Sequence, residues 1–135
     1  MKSRYMLDTN ICIYIAKHQP PAVKARFELL KPGQLVMSVI TYGELYYGAC
    51  KSNQRTKALT QLNELVQDIP VENLDSAVAR AYGEIRATLE KQGRLIGNND
   101  LWIGAHALAL DVTLATNNER EFKRIAGLSV ENWTK

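Results

Sequence analysis

Tyr5-Met6-Leu7-Asp8-Thr9-Asn10 is a short apolar run that stops at a polar tip. An unbroken apolar run bounded in this way reads as a strand buried on both faces. Ile11 to Lys17 follows directly with helical character, and Pro20-Pro21 breaks it. A buried strand feeding a helix is the opening of a parallel β/α arrangement, and the rest of the chain keeps to that pattern.

Val23, Phe27 and Leu30 recur at helical spacing, and Lys31-Pro32-Gly33 makes a turn. Leu35-Val36-Met37 is a second buried run. Helices are expected from Ile40 to Cys50 and from Asn53 to Gln67, the latter with Ala58, Leu62 and Leu65 on one face. Ile69-Pro70-Val71 reads as a short strand, and its proline favours an edge. Leu74, Val78, Ala81, Ile85 and Leu89 mark a long amphipathic helix that Gly93 ends. Asp100 to Leu110 is the next helix, with Asn98 and Asn99 as start signals. Val112 to Ala115 is a strand, Glu119 to Ile125 a short helix, and Val130 begins a last strand before Trp133. The fold expected is α/β, three-layered, with a central and mainly parallel sheet flanked by helices. The 135 residues are expected to form a single domain, residues 1–135.

Apolar residues make up 46% of the chain and charged residues 23%, a globular balance that argues against disorder. The net charge of +3 permits contact with nucleic acid without demanding it. Cys12 and Cys50 match no metal spacing, and their apolar neighbours suggest buried free thiols. Met1-Lys2-Ser3-Arg4 has the look of a leader's basic head, but Asp8 interrupts the apolar stretch that should follow. The run Ile11 to Ala16 is too short to span a membrane. A cytoplasmic protein is expected.

In an open parallel sheet, sites form beyond the carboxyl ends of the strands. Asp8 closes the first strand. Ser38 closes the second, and Glu44 follows on the next helix. Asp100 opens the helix before the fourth strand, which Thr116, Asn117 and Asn118 close. Each acid has a plain alternative. Asp8 could cap the helix after it, Glu44 could face solvent, and Asp100 could sit at a helix start for the dipole's sake. The case is joint, because the fold brings all three acids to one edge. Clustered carboxylates repel and need protons or cations between them. Oxygen ligands favour Mg²⁺ or Mn²⁺ over zinc, and such a cation suits phosphodiester hydrolysis. His106, in an Ala-rich helix, reads as packed, and His18 as a surface residue. Tyr42, Tyr46, Tyr47 and Trp102 lie close to two of the acids. They are either core or an apolar groove for a partner's amphipathic helix.

Taken together, these residues resemble the PIN-domain ribonucleases, specifically toxins of the VapC type. The likeness runs through Met6-Leu7-Asp8-Thr9-Asn10 and Ser38 to Glu44-Leu45. It continues through Gly93-Arg94-Leu95-Ile96-Gly97, Asn99-Asp100-Leu101-Trp102-Ile103, and Thr116-Asn117-Asn118 with Phe122. The resemblance implies a Mg²⁺-dependent endoribonuclease, with Mn²⁺ able to substitute. Asp8 and Asp100 would be its central metal ligands, Glu44 its third acid, and Asn118 a further site residue. It implies a homodimer restrained by a small VapB-type antitoxin, and cleavage of structured RNA; some relatives cut initiator tRNA. Many PIN domains carry a fourth acid where this chain has Asn118, which argues against a second tightly held metal. Glu119 or Glu121 could replace it.

Other readings fit less well. A haloacid-dehalogenase-type phosphotransferase wants a second Asp where this chain has Asn10, and a response-regulator receiver wants an Asp and a Lys that the pattern does not supply. A catalytically weak PIN domain acting as an RNA- or protein-binding module is opposed by the intact acids.

Overall fold

The computed structural model describes residues 4–135, so the start of the basic N-terminal segment weighed above, Met1 to Ser3, lies outside the described residues. Strand β1 (Tyr5–Leu7) leads into α1 (Thr9–Lys17), then α2 (Pro21–Glu28), a 3₁₀ turn (Pro32–Gln34) and β2 (Leu35–Ser38). Helices α3 (Val39–Cys50) and α4 (Arg55–Asp68) precede β3 (Val71–Glu72). Then come α5 (Ser76–Lys91), α6 (Asn98–Leu110), β4 (Thr113–Thr116), α7 (Glu119–Phe122) and β5 (Val130–Asn132).

The strands form one sheet in the order β3-β2-β1-β4-β5, with every neighbouring pair parallel. The chain leaves β1 towards β2 and β3, then returns through α5 and α6 to β4 on the other side of β1. The direction of winding therefore reverses between β1 and β4, and a crevice opens beyond the carboxyl ends of those two strands.

Side chains that alternate along the strands supply two cores. Met6, Val36 and Leu114 pack on one face with Leu89, Leu101, Ile103 and Phe122 from α5, α6 and α7. Leu7, Leu35, Met37 and Ala115 pack on the other with Ile11, Ile15 and Val23 from α1 and α2, and with Trp133. Burial on both faces is why the strands read as continuous apolar runs. Among the described residues, no helix is long and apolar enough to cross a membrane.

Several local expectations shift. Proline 70 does precede an edge strand, but the strand is Val71–Glu72, and the Pro70 carbonyl accepts the Met37 N–H at 2.9 Å. The last helix stops at Phe122 rather than Ile125. Asn98 and Asn99 do not cap α6. They lie inside its first turn, Gly97 takes the cap position, and Asp100 is the third helical residue. Their amides are used in side-chain contacts across to other helices. Of the two cysteines, both free, Cys12 is buried and Cys50 only half-buried. His18 is exposed and ends α1 in the left-handed region, whereas His106 is fully buried.

Candidate active site

Asp8 follows β1, and its carboxylate performs two local tasks. Oδ1 accepts the Ile11 N–H at 2.9 Å and so caps α1. Oδ2 accepts the hydroxyl of Thr116, at the end of the adjacent β4. The capping alternative raised from sequence is thus real, and it coexists with a position at the reversal point of the sheet. Thr116 in turn accepts the Asn118 N–H at 2.8 Å, which shapes the turn into α7.

Asp8 is 5% exposed. Burial pushes its pKa up to about 6. The hydrogen bonds from Thr116 and Ile11 pull the other way, and the charges of Asp100 and Glu44 add to the rise. Asp100 is half-buried, and its pKa is raised by burial, by Glu44 and then by Glu121. The three acids picked from the sequence therefore lie within each other's fields.

Glu44, like Asp8, is held at both carboxylate oxygens. Its Oε1 accepts the Thr9 hydroxyl, and its Oε2 accepts the Asn99 amide at 3.0 Å. Thr41 Oγ1, buried on α3, lies 3.3 Å from the Thr9 hydroxyl oxygen. These bonds tie α1 and α6 to α3. The Asp100 side chain makes no hydrogen bond among the described residues, which leaves its carboxylate oxygens free for another ligand.

Glu119 and Glu121 have different partners. Glu119 turns away from the acids to Lys135 Nζ at 2.7 Å, Lys123 Nζ at 3.3 Å and the Asn132 amide at 3.3 Å. Hydrogen bonds from these groups hold its carboxyl down at about 2. Glu121 Oε1 accepts the Asn118 amide at 3.1 Å, and its charge reaches Asp100. Asn118 thus donates to a carboxylate whose charge is felt at Asp100.

The donor set is all oxygen, partly buried and mutually repelling, which suits a hard divalent cation. Among the described residues, no three Asp, Glu, His or Cys side chains converge closely enough to hold a cation by themselves. A cation here would take one or two of the carboxylates directly and keep several waters, as Mg²⁺ commonly does. Thr9, Asn99 and Thr116 were not singled out from sequence as partners of the acids. Their neighbourhood to Asp8, Asp100 and the end of β4 was the available signal.

The aromatic residues divide. Tyr42 packs against the core and meets Tyr46 at 5.8 Å between centroids. Tyr46 and Tyr47 are 41% and 66% exposed. Trp102 stacks on Tyr82 of α5, 3.8 Å between centroids and nearly parallel. An open groove beside Glu44 is lined by Val39, Ile40, Gly43, Tyr47 and Asn99.

Comparison with known proteins bears on this arrangement. The PIN domain family matches residues 5–128. Ribonuclease VapC1 of Haemophilus influenzae (strain R2866) is 45% identical over 132 residues, covering 97% of this chain and 98% of that protein. The tRNA(fMet)-specific endonuclease VapC of Shigella flexneri is 42% identical over 131 residues, with 97% and 98% covered. The solved structure of VapBC-1 from nontypeable Haemophilus influenzae superposes with a TM-score of 0.89 at 45% identity, covering 97% of this chain and 98% of that one. With a family match spanning most of the chain and relatives aligned almost end to end, this chain belongs to the PIN-domain family, in its VapC branch.

Proposed function

We propose that this protein is a Mg²⁺-dependent endoribonuclease, the toxin of a VapBC-type toxin–antitoxin system, which hydrolyses phosphodiester bonds in structured cytoplasmic RNA. The observation that carries this reading is the mutual influence of Asp8, Asp100 and Glu44 at the point where the sheet's winding reverses. Two named relatives are ribonucleases, one of them specific for tRNA(fMet), which makes tRNA the first substrate to test.

Asp8, Asp100 and Glu44 would share the cation, one or two of them directly and the rest through its waters, and Mn²⁺ would substitute for Mg²⁺. When bound, Mg²⁺ offsets charge on the scissile phosphate and makes water acidic enough to attack it. The protein's own part is preorganisation. Thr9 and Asn99 orient Glu44, the Thr116 hydroxyl and Ile11 N–H orient Asp8, and Asp100 is left open to ligand. His106 is too deeply buried to reach RNA. With water as nucleophile, the products carry 5′-phosphate and 3′-hydroxyl ends. EDTA should abolish cleavage and Mg²⁺ restore it. Products ending in 2′,3′-cyclic phosphate, formed equally well in EDTA, would overturn the proposal.

Glu121 is the fourth acid of this reading. Glu121→Gln should lower cleavage about tenfold, the size of effect expected of a residue that tunes a metal site. Glu119→Gln should leave the rate near wild type, because its carboxylate is engaged with Lys123, Lys135 and Asn132. Equal losses from the two substitutions would undo the distinction.

The partner is a VapB-type antitoxin, and the toxin acts as a homodimer. The exposed Tyr46 and Tyr47 and the groove beside Glu44 offer an apolar seat for an amphipathic helix. A basic antitoxin side chain would then pair with the carboxylates. Nuclease activity that is identical with and without the co-expressed antitoxin would count against this seat.

A further inference from the structure

His106 and Ser38 form a buried polar contact that lies away from the mouth of the site. Both side chains are fully buried, and His106 Nδ1 lies 2.8 Å from Ser38 Oγ. Ser38 Oγ also accepts the Ile40 N–H at 3.1 Å and so caps α3. The remaining hydroxyl proton has one acceptor among the described residues, His106 Nδ1. The imidazole then carries its own proton on Nε2, which is buried without a hydrogen-bond partner. Burial lowers the pKa of His106. Glu72, the Asn73 backbone and Asp75 raise it by a lesser amount. A neutral ring with its proton on Nε2 lets Nδ1 accept the Ser38 hydroxyl.

A buried imidazole with one nitrogen unpaired is a poor choice for stability, since an apolar side chain would avoid the unsatisfied group. Its location supplies a different use. Ser38 stands where β2 becomes α3, six residues before Glu44, and His106 stands on α6, six residues after Asp100. At the mouth of the site, Asn99 and Glu44 tie the same two helices. At the base, Ser38 and His106 do so.

We propose that His106 is a positioning residue, whose bond to Ser38 sets α3 against α6 and thereby places Glu44 relative to Asp100 for a divalent cation. This rests on the carboxylates being a cation site, and the test separates the two. Mn²⁺ is titrated calorimetrically into the RNA-free protein as wild type, His106→Leu, His106→Asn, Ser38→Ala and the Ser38→Ala/His106→Leu double variant. Thermal unfolding of each is followed without metal.

His106→Leu and Ser38→Ala should each weaken Mn²⁺ binding about tenfold, within the range known for groups that orient metal ligands. The double variant should lose no more than Ser38→Ala alone, which removes the α3 cap as well, because the bond to His106 is already gone in that variant. His106→Asn, whose amide oxygen occupies the place of Nδ1, should keep most of the affinity. Unchanged Mn²⁺ affinity in a folded His106→Leu protein, or losses that multiply in the double variant, would overturn the proposal. If His106→Leu fails to fold, Ser38→Ala and His106→Asn decide it by the same criteria. Failure of the wild type to bind Mn²⁺ would remove the cation site itself, and this role with it.

Discussion

Asp8→Asn is expected to reduce RNA cleavage by at least about 100-fold while making the metal-free protein more stable at neutral pH. The two effects share one cause. The wild-type carboxylate is buried beside two other acids, and its pKa stands at about 6 instead of the ordinary 3.8. Folding therefore favours its protonated form. Its contribution to stability is fully present below about pH 4 and is lost as pH rises through 6. Above that range the folded protein carries a penalty of about 3 kcal/mol from this group. Asparagine bears no charge, so the penalty disappears. Its amide oxygen can still cap Ile11, a position where Asn serves as well as Asp. Its amide N–H can donate to the Thr116 hydroxyl oxygen in place of the present bond. Urea unfolding in EDTA at pH 5 and pH 8 checks this. The wild type should weaken between the two relative to Asp8→Asn, and Mg²⁺ at pH 8 should recover stability for the wild type alone. A variant that loses both activity and stability would show that the buried carboxylate stabilises the folded protein instead of burdening it.

Trp133→Ala should cost about 3–5 kcal/mol, the range for removing a buried aromatic side chain. Trp133 is fully buried just after β5, where it packs under the second core. Its ring meets Tyr5 edge-on at 5.6 Å, and the Arg26 guanidinium lies 5.1 Å from its centroid. Arg26 also pairs with Glu131 at 2.6 Å, so one side chain closes β1, α2 and β5 together. For a chain of this size the melting temperature should fall by about 10–20 °C. A fall of only a few degrees would show that β5 and the C-terminal residues are dispensable to the core.

Much of the fold was legible because burial on two faces leaves a plain mark on a strand. Tyr5 to Leu7, Leu35 to Met37 and Val112 to Ala115 carry no polar alternation, and each lies in the sheet, the last shifted by one residue to Thr113–Thr116. Helix ends were less legible. Asn98 and Asn99 have the composition of caps, yet their side chains serve Tyr82 and Glu44. Asparagine is well suited to either task, and local sequence does not say which wins. The buried reading of Cys50 failed for a related reason, since apolar neighbours along a helix do not say which face that helix hides.

For the site, the sequence by itself determined that Asp8, Glu44 and Asp100 stand near the carboxyl edge of a parallel sheet. That follows from strand ends and helix starts, which local patterning specifies. The tertiary structure decided what those acids meet. Glu119 and Glu121 sit two residues apart on one short helix, and nothing local separates their roles. Glu119 is claimed by Asn132 and Lys135, which lie further along the chain, while Glu121 accepts the Asn118 amide and its charge is felt at Asp100. The Ser38–His106 bond spans 68 residues in the same way. Hydrogen bonds of that reach depend on how helices pack across the sheet, and packing is a property of the whole chain that no local spacing encodes.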